Sequence, residues 1–401
     1  MEVAEFHCTL ALARWPTIVG SVGVDVHAGI PRMEHDAPTS LLERNLCADA
    51  VTSHAERESM RRAPAWLKVV AAAHSAQART RAEQGVAVHR ITGGANNALF
   101  RVEVDDEHFA CKLCVDDERQ RAKRDFGALR ILEAAGLDIA PRPLWLDESC
   151  TVVSYPTVAY RWTSGSPLGP ELTSQQLTAL IESLQRIHGI RPGDLAGYEL
   201  ADAWFHWFGF EPYLDELHGL LAEHGPWLID AERRGRELYA RLGRLVEACA
   251  QVVASSDADP RREQVPRRLC RVDPGLANAL WCDDGRLRWV DWEYSGWGDP
   301  ALELADLRWH VSLEALSSAE HAWLRESYRQ PPGDPGFEGR LAVWDRLIST
   351  RWAFLILRWL WSAHEGPDRE RLTQPTGDVV ALRARLLRFI ERAEQAILEA
   401  H

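Results

Sequence analysis

The chain has 401 residues, of which 46% are hydrophobic and 26% are charged, a composition typical of globular proteins. This length exceeds what one hydrophobic core usually supports, so it predicts two domains or one two-lobed enzyme and excludes a small disulfide scaffold. The formal net charge of −13 argues against nonspecific nucleic-acid binding, which needs a basic face. We therefore expect no nucleic-acid partner, and a cationic ligand fits this charge better than an anionic one.

The sequence also argues against a membrane or secreted protein. No apolar run approaches the ~18 residues of a membrane helix. The amino terminus carries Glu2 and Glu5 and lacks the basic start and apolar block of a secretory signal. The eight cysteines show no framework spacing, so reduced thiols are expected. These features predict a soluble, cytoplasmic protein with no membrane partner.

The first part of the chain is interrupted repeatedly by proline and glycine. Residues 1–63 show no sustained period and are predicted to be a poorly specified extension. Residues 65–83 predict a helix, because Pro64 stands near the first turn and Gly85 follows the last.

The next segment alternates as strands do. Strands are predicted over residues 86–91, 99–104 and 109–115, and two more are predicted near 143–146 and 151–160. A charged helix over about 117–135, closed by a glycine, separates the first three from the last two. We therefore predict a five-stranded antiparallel sheet with one helix.

From Thr173 onward the periodicity is helical almost throughout. Thr173 and Gln176 form a capping box that begins the first of these helices. Further helices are predicted at about 212–224, 229–254, 301–313, 338–363 and 377–399. The pattern predicts an α+β protein in which a small sheet lobe, residues 64–160, is joined to a large helical lobe, residues 161–401.

One strand pair interrupts the helical part, and it carries the candidate chemistry. Asp284-Gly285 is typical of a two-residue hairpin turn, and this register would place Asn278 directly opposite Asp291. Opposed side chains have Cβ atoms roughly 4.5 to 5.5 Å apart, so an amide oxygen and a carboxylate could share one hard cation. Mg²⁺ suits such a sparse oxygen site, because it retains waters and takes other ligands from phosphates. Asn278 and Asp291 are thus predicted metal ligands beside a nucleotide.

Asp273 lies five residues before Asn278, and Pro274-Gly275 between them excludes regular structure. This carboxylate is therefore expected on a loop beside the metal ligands, where a base for a substrate hydroxyl would stand. The alternative is that these polar side chains only cap turns or face water.

The small lobe offers candidate phosphate-binding groups. Gly93-Gly94 between two strands would let backbone N–H groups approach an anion, although a plain turn would look the same. Lys112 is the only lysine in any predicted strand, and an ammonium held there can pair with the α and β phosphates of a nucleotide. A solvated strand lysine is the alternative.

The hairpin resembles the aminoglycoside phosphotransferase and choline kinase family, small-molecule kinases with a protein-kinase-like two-lobed fold. The family loop reads His-Gly-Asp, four residues, Asn, and then Asp-Trp-Glu after a hairpin; residues 271–273, Asn278 and residues 291–293 occupy those places. The resemblance continues through Gly298-Asp299-Pro300 and runs from about residue 86 to the carboxyl end. Arg271 departs from the usual histidine.

Several roles are implied by this resemblance. It makes Asp273 the catalytic base, Asn278 and Asp291 the magnesium ligands, and Asp125 the helix acid paired with Lys112, one methylene shorter than the usual glutamate. Residues 64–160 become the nucleotide-binding lobe.

The function expected is transfer of the γ-phosphoryl group of ATP or GTP to a hydroxyl of a small metabolite or aminoglycoside-like antibiotic, with Mg²⁺. The acidic helical lobe favours a cationic acceptor such as an aminoglycoside. The tryptophans favour a choline-like or sugar acceptor, although the aromatic run 204–210 suits core packing better. A catalytically silent nucleotide sensor is the third reading, suggested by Arg271 and Asp125. His188 resembles a family histidine and is expected to be a buried structural donor.

Overall fold

The computed structural model describes residues 63–83, 85–92, 97–205, 207, 209–258, 265–365 and 379–398. The predicted extension, residues 1–63, lies almost wholly outside these residues, as do Gly93 and Gly94. No helix in the described part of the chain is long and apolar enough to cross a membrane. The six cysteines within it are all free thiols.

The amino-terminal part is an antiparallel sheet with two helices. In chain order its elements are α1 (Ala63–Ser75), β1 (Thr80–Glu83), β2 (Val86–Ile91), β3 (Ala98–Val104), β4 (Glu107–Leu113), α2 (Arg121–Ala134), β5 (Pro143–Asp147) and β6 (Thr157–Arg161). The strand order is β1-β2-β3-β4-β6-β5, so β4 lies inside the sheet with a hydrogen-bonded neighbour on each side. Lys112 on β4 pairs with Leu99 and Val158, which fixes its position in the sheet.

The sheet has six strands, so the predicted five-stranded sheet is wrong by one strand. The predicted helix over 65–83 ends at Ser75, and Gln77 takes a positive φ of 50° just after it. Residues 80–83 then form β1, which pairs with β2 from Glu83↔Val86 to Thr80↔His89. The polar, short β1 has little strand signal of its own, and pairing with β2 decides its conformation.

The carboxyl-terminal part is mainly helical. It contains β7 (Ser166–Pro167), α3 (Ser174–Ile187), α4 (Glu211–Ala231), α5 (Gly235–Ala254), β8 (Arg268–Cys270), β9 (Ala279–Trp281), β10 (Leu287–Trp289), β11 (Gly296–Gly298), α6 (Pro300–Trp309), α7 (Ser318–Ser327), α8 (Phe337–Glu365) and α9 (Val379–Leu398). The capping box predicted at Thr173 is present, with its side chain accepting the Gln176 N–H. Helix α7 was not predicted, although Ser317 and Glu320 form a second capping box there.

Two hydrophobic cores position the site. In one, α1 covers a face of the sheet, and Trp66 stacks on Phe109 with ring centroids 4.5 Å apart. The other core joins α2 to the helical part, where Trp207 lies 5.1 Å from Tyr213 and 6.2 Å from Trp344 between ring centroids. Trp207 is partly buried and packs against this core, as expected of the aromatic run. The predicted α+β architecture, a sheet followed by a helical region, is confirmed.

Candidate active site

The centre of the site is the ammonium of Lys112. Its side chain is only 5% exposed, and its Nζ lies 2.7 Å from Asp125 Oδ2 and 3.6 Å from Glu293 Oε2. It also donates a hydrogen bond to Asp291. We call these four residues the lysine–carboxylate cluster. The predicted contact between Lys112 and Asp125 is therefore present, and the shorter acid reaches the lysine from the second turn of α2.

The cluster holds more negative than positive charge. Burial alone would lower the pKa of Lys112, but the three surrounding carboxylates raise it well above its usual value. Burial raises the pKa of Asp291 to about 7, Lys112 opposes the rise, and Glu293 and Asp125 add to it. The Asp291 side chain is 22% exposed, so it is the member of the cluster that a ligand can reach. Arg121 also pairs with Glu293, so two cationic side chains face three carboxylates, and a further cation would meet an excess of negative charge beside Asp291.

Glu293 ties the helical part to the sheet and was missed as a site residue. It is fully buried and accepts hydrogen bonds from Asn97 and from Arg121, the latter at 3.0 Å. Asn97 and Arg121 were also missed. The one available signal was the position of Glu293 in the Asp-Trp-Glu motif, because nothing near Asn97 or Arg121 in the sequence points to a partner 196 or 172 residues away.

The loop from Arg271 to Asn278, hereafter loop 271–278, holds the predicted base. The Asp273 carboxylate accepts a hydrogen bond from the Asn278 amide at 3.0 Å and from the Gly275 N–H at 3.3 Å. Asn278 closes a short 3-10 turn that brings its side chain back toward Asp273. The structure thus brings Asp273 and Asn278 together through contacts within the loop itself.

Arg271, the departure from the family pattern, supports this loop from behind. Its side chain is fully buried and stacks over Trp289, with the guanidinium carbon 4.2 Å from the ring centroid. Its Nε donates to the Asp273 carbonyl at 2.9 Å, and a terminal nitrogen lies 3.5 Å from the Asp291 carbonyl. Arg271 therefore links loop 271–278 to the lysine–carboxylate cluster.

A second support holds the start of the loop. Val272 has a φ of +73°, a strained conformation for a β-branched residue. The Glu303 carboxylate accepts the N–H groups of Arg271 and Val272, each at 2.9 Å. His188 binds Glu303 at 2.8 Å through Nε2 and the Tyr328 hydroxyl at 2.6 Å through Nδ1. His188 is thus buried and structural, as expected.

The predicted hairpin register is wrong by one residue. Ala279 pairs with Trp289, and the Val290 N–H donates to the Asn278 carbonyl at 2.9 Å, so Asn278 lies opposite Val290 and not Asp291. The cause is a turn of three residues, where a two-residue turn is expected from Asp284-Gly285. The Cys282 N–H donates a hydrogen bond to the Arg286 carbonyl at 2.9 Å, and Gly285 takes a φ of +71°.

Asp291 is placed by its backbone and not by strand pairing. Strand β10 ends at Trp289, and Asp291 has a φ of +63°, so the chain has left the extended conformation there. Its carboxylate meets Lys112, 179 residues away in the sequence. The argument from direct opposition to Asn278 therefore fails, and a shared metal remains a prediction that depends on the family pattern.

Comparison with known proteins identifies the family and agrees with the fold. A model of the phosphotransferase enzyme family matches residues 87–338. A protein from Ralstonia eutropha JMP134, provisionally assigned as an aminoglycoside phosphotransferase, has a similar fold: TM-score 0.55, 14% identity, covering 83% of this chain and 98% of that one. Spectinomycin phosphotransferase APH(9)-Ia, solved with ADP and spectinomycin, gives TM-score 0.51 and 14% identity, covering 77% and 93%.

A choline/ethanolamine kinase family protein from Mesorhizobium loti gives TM-score 0.47 and 18% identity, covering 77% of this chain and 92% of that one. The comparison with curated proteins found no match. The family model spans well over half of the chain and includes Lys112, loop 271–278 and Asp291. The chain therefore belongs to the phosphotransferase enzyme family.

Proposed function

We propose that this protein is a small-molecule kinase that transfers the γ-phosphoryl group of ATP or GTP to a hydroxyl of a small metabolite or an aminoglycoside-like antibiotic. The observation that carries the proposal is the convergence on Lys112 of Asp125 from α2 and of Asp291 from the helical part of the chain. A buried ammonium between two lobes, with a reachable carboxylate beside it, suits phosphates and their cation.

Lys112 is proposed to contact the nucleotide phosphates, with Asp125 keeping its ammonium in place. The ion pair at 2.7 Å supports this division, because Asp125 and Lys112 are both almost fully buried. Gly93 and Gly94 are proposed to bind phosphate through their backbone. Asn97, three residues after Gly94 in the sequence, donates a hydrogen bond to Glu293 of the cluster.

Asn278 and Asp291 are proposed to hold Mg²⁺. The donor set fits the ion, since an amide and a carboxylate are the oxygen ligands that Mg²⁺ takes from proteins. The raised pKa of Asp291 supports the fit, because neighbouring carboxylates help to cause it and a cation would relieve that repulsion. When bound, the ion would neutralise phosphate charge during transfer.

Asp273 is proposed to accept the proton of the acceptor hydroxyl. The hydrogen bonds from Asn278 and Gly275 hold its carboxylate in one orientation, which is what a positioned base needs. The helical segment after residue 190 and the last helices are proposed to wall the acceptor pocket. APH(9)-Ia, which shares the fold and was solved with ADP and spectinomycin, supports a nucleotide and a small acceptor here.

The contacts made by Arg271 and Asp125, the two departures from the family pattern, weaken the silent-sensor alternative. Arg271 binds the backbone of the loop that carries Asp273, and Asp125 still reaches Lys112. Each substitution keeps a supporting contact, which favours an active enzyme. A choline-like, sugar or amino-alcohol acceptor stays a second candidate, favoured by the aromatic side chains of the helical part.

The test is a panel assay of the full chain with labelled ATP and labelled GTP and Mg²⁺. The acceptors are aminoglycosides, choline, homoserine and sugars, and Asp273→Asn is the inactive control. Phosphorylation of one acceptor class by the wild type and not by the control supports the proposal. Transfer to none of them, with ATP bound tightly, would favour the sensor.

A further inference from the structure

A buried histidine stands beside the candidate base without being part of the family motif. His310 follows the last residue of α6, and its side chain is 0% exposed. Its Nε2 lies 3.6 Å from Asp273 Oδ1 and has no hydrogen-bond partner among the described residues. Buried polar atoms are nearly always hydrogen bonded, so an orphaned ring nitrogen aimed at a carboxylate needs a physical reason.

The other ring nitrogen shows which atom carries the proton. The Ser312 backbone N–H donates to His310 Nδ1 at 3.2 Å, and the Ser312 hydroxyl lies 2.7 Å from the same atom. A backbone N–H can only donate, so Nδ1 must present its lone pair. In the neutral ring the proton is therefore on Nε2, the nitrogen that faces Asp273.

His310 and Ser312 also contact the turn between Asp273 and Asn278. The Ser312 oxygen accepts the N–H of Leu276 at 3.1 Å, so Ser312 connects His310 to the turn between Asp273 and Asn278. A side chain at Gly275 would come within 3.3 Å of both Asp273 Oδ1 and His310 Cε1. The glycine thus lets the imidazole pack directly against the loop, and the ring also makes an edge-to-face contact with Trp352, with ring centroids 4.5 Å apart.

The partners of the two Asp273 oxygens differ. Oδ1 accepts the Gly275 N–H and faces His310 Nε2, while Oδ2 accepts the Asn278 amide. Oδ1 has the Gly275 N–H as a donor and the imidazole N–H at 3.6 Å, whereas Oδ2 has one donor and a lone pair left for another proton. The arrangement therefore distinguishes the two oxygens chemically.

We propose that His310 is a positioning residue for Asp273: its Nε2–H, which lies 3.6 Å from Oδ1 and has no hydrogen-bond partner among the described residues, attracts Oδ1 electrostatically and leaves Oδ2 as the atom that takes the proton of the acceptor hydroxyl. Ser312 fixes the tautomer that makes this possible. The proposal rests on the assignment of Asp273 as the base, and His310 itself contacts neither nucleotide nor acceptor.

The first test needs no acceptor. In NMR spectra of protein labelled with ¹⁵N-histidine, one ring in the Nε2–H tautomer should lose its signals in His310→Gln, which assigns it to His310. The Nε2–H signal of this ring should shift in Asp273→Asn. An Nδ1–H ring, or an Nε2–H signal that does not respond to Asp273→Asn, would overturn the proposal even if the protein is a kinase.

The second test measures phosphorylation of the acceptor found in the panel or, without an acceptor, hydrolysis of ATP in the presence of Mg²⁺. His310→Leu should lower kcat roughly 10- to 100-fold, the size typical for loss of an orienting partner, with the KM for ATP unchanged. His310→Gln, whose amide nitrogen can reach Oδ1, should recover most of the loss, and Ser312→Ala should give an intermediate value.

His224→Leu is the matched control, because His224 is also fully buried and neither of its ring nitrogens is hydrogen bonded among the described residues; its Nε2 lies 3.9 Å from the exposed carboxylate of Glu223. It should keep the wild-type kcat. Equal kcat in His310→Leu and wild type, or equal losses in His310→Leu and His310→Gln at unchanged Tm, would refute the positioning role. Absence of turnover in the wild type would instead count against the proposed function.

Discussion

The lysine–carboxylate cluster and loop 271–278 are assembled in opposite ways. The cluster joins Lys112 to Asp291 across 179 residues and depends on opposite charges in a buried place. The loop holds Asp273 mostly through neighbours, with Asn278 at 3.0 Å and the Arg271 Nε at 2.9 Å from its carbonyl. Ion pairs between distant residues respond to bound ions, whereas hydrogen bonds within the loop orient the Asp273 carboxylate without a bound ion.

This contrast predicts that damage to the loop lowers turnover, while damage to the cluster lowers nucleotide or metal affinity. The largest loss of turnover is expected for Asp273→Asn, because an amide keeps the shape of the carboxylate but cannot take a proton. We expect kcat to fall by about 10² to 10⁴ while ATP affinity is retained. Steady-state kinetics and ATP titration calorimetry measure the two quantities, and Asp284→Asn, on the exposed turn, is the control. Near-normal turnover would remove Asp273 as the base.

Asp291→Ala tests the metal side of the cluster. If Asn278 and Asp291 hold Mg²⁺, loss of the Asp291 carboxylate leaves only the neutral amide oxygen of Asn278 to bind the ion. We therefore expect kcat to fall by more than about 10² and the Mg²⁺ concentration needed for half-maximal activity to rise. Mg²⁺ titrations of the mutant and of Asp283→Ala, an exposed residue on the same hairpin, give the comparison. An unchanged Mg²⁺ requirement would contradict the assigned ligand.

Lys112→Ala and Asp125→Ala separate direct from indirect contact with phosphate. Charge-assisted hydrogen bonds contribute about 1.5–3 kcal/mol, so Lys112→Ala should weaken ATP binding roughly 10- to 100-fold. Asp125→Ala should have a smaller effect, because Asp291 and Glu293 still hold the ammonium. Lys123→Ala, an exposed residue of α2, is the control. ATP affinity equal to wild type in Lys112→Ala would refute the nucleotide role of this lysine.

The smallest effect on activity is expected at His224, which lies outside both the lysine–carboxylate cluster and loop 271–278. Burial, together with the nearby Arg358, lowers its pKa from 6.5 to about 4. The folded protein therefore resists protonation there, so this contribution to stability is present above pH 6.5 and is lost as pH falls toward 4. His224→Leu should reduce the acid sensitivity of unfolding in urea without changing kcat. A wild-type-like pH dependence in the mutant would contradict this origin.

The sequence predicts the structure correctly where the interactions join residues a few positions apart. The Thr173 capping box, the strands around Lys112 and the loop position of Asp273 depend on residues a few positions apart, so local spacing contains the information. The order of sheet before helices also followed from periodicity alone. The motif from Arg271 to Asp291 was sufficient to identify the family, since several residue types must recur at set intervals there.

Tertiary structure decided what depends on distant partners. Strand β1 exists because β2 is available for pairing, and the hairpin register followed from a third turn residue that the Asp-Gly signal does not reveal. Glu293 gathers Asn97, Arg121 and Lys112 because folding buries their charges and polar groups together, where each requires a partner. His310 lies beside Asp273 where Gly275, which has no Cβ, allows the ring and the loop to approach closely. Burial and close approach are properties of the packed molecule, and neighbouring residues in the sequence do not encode them.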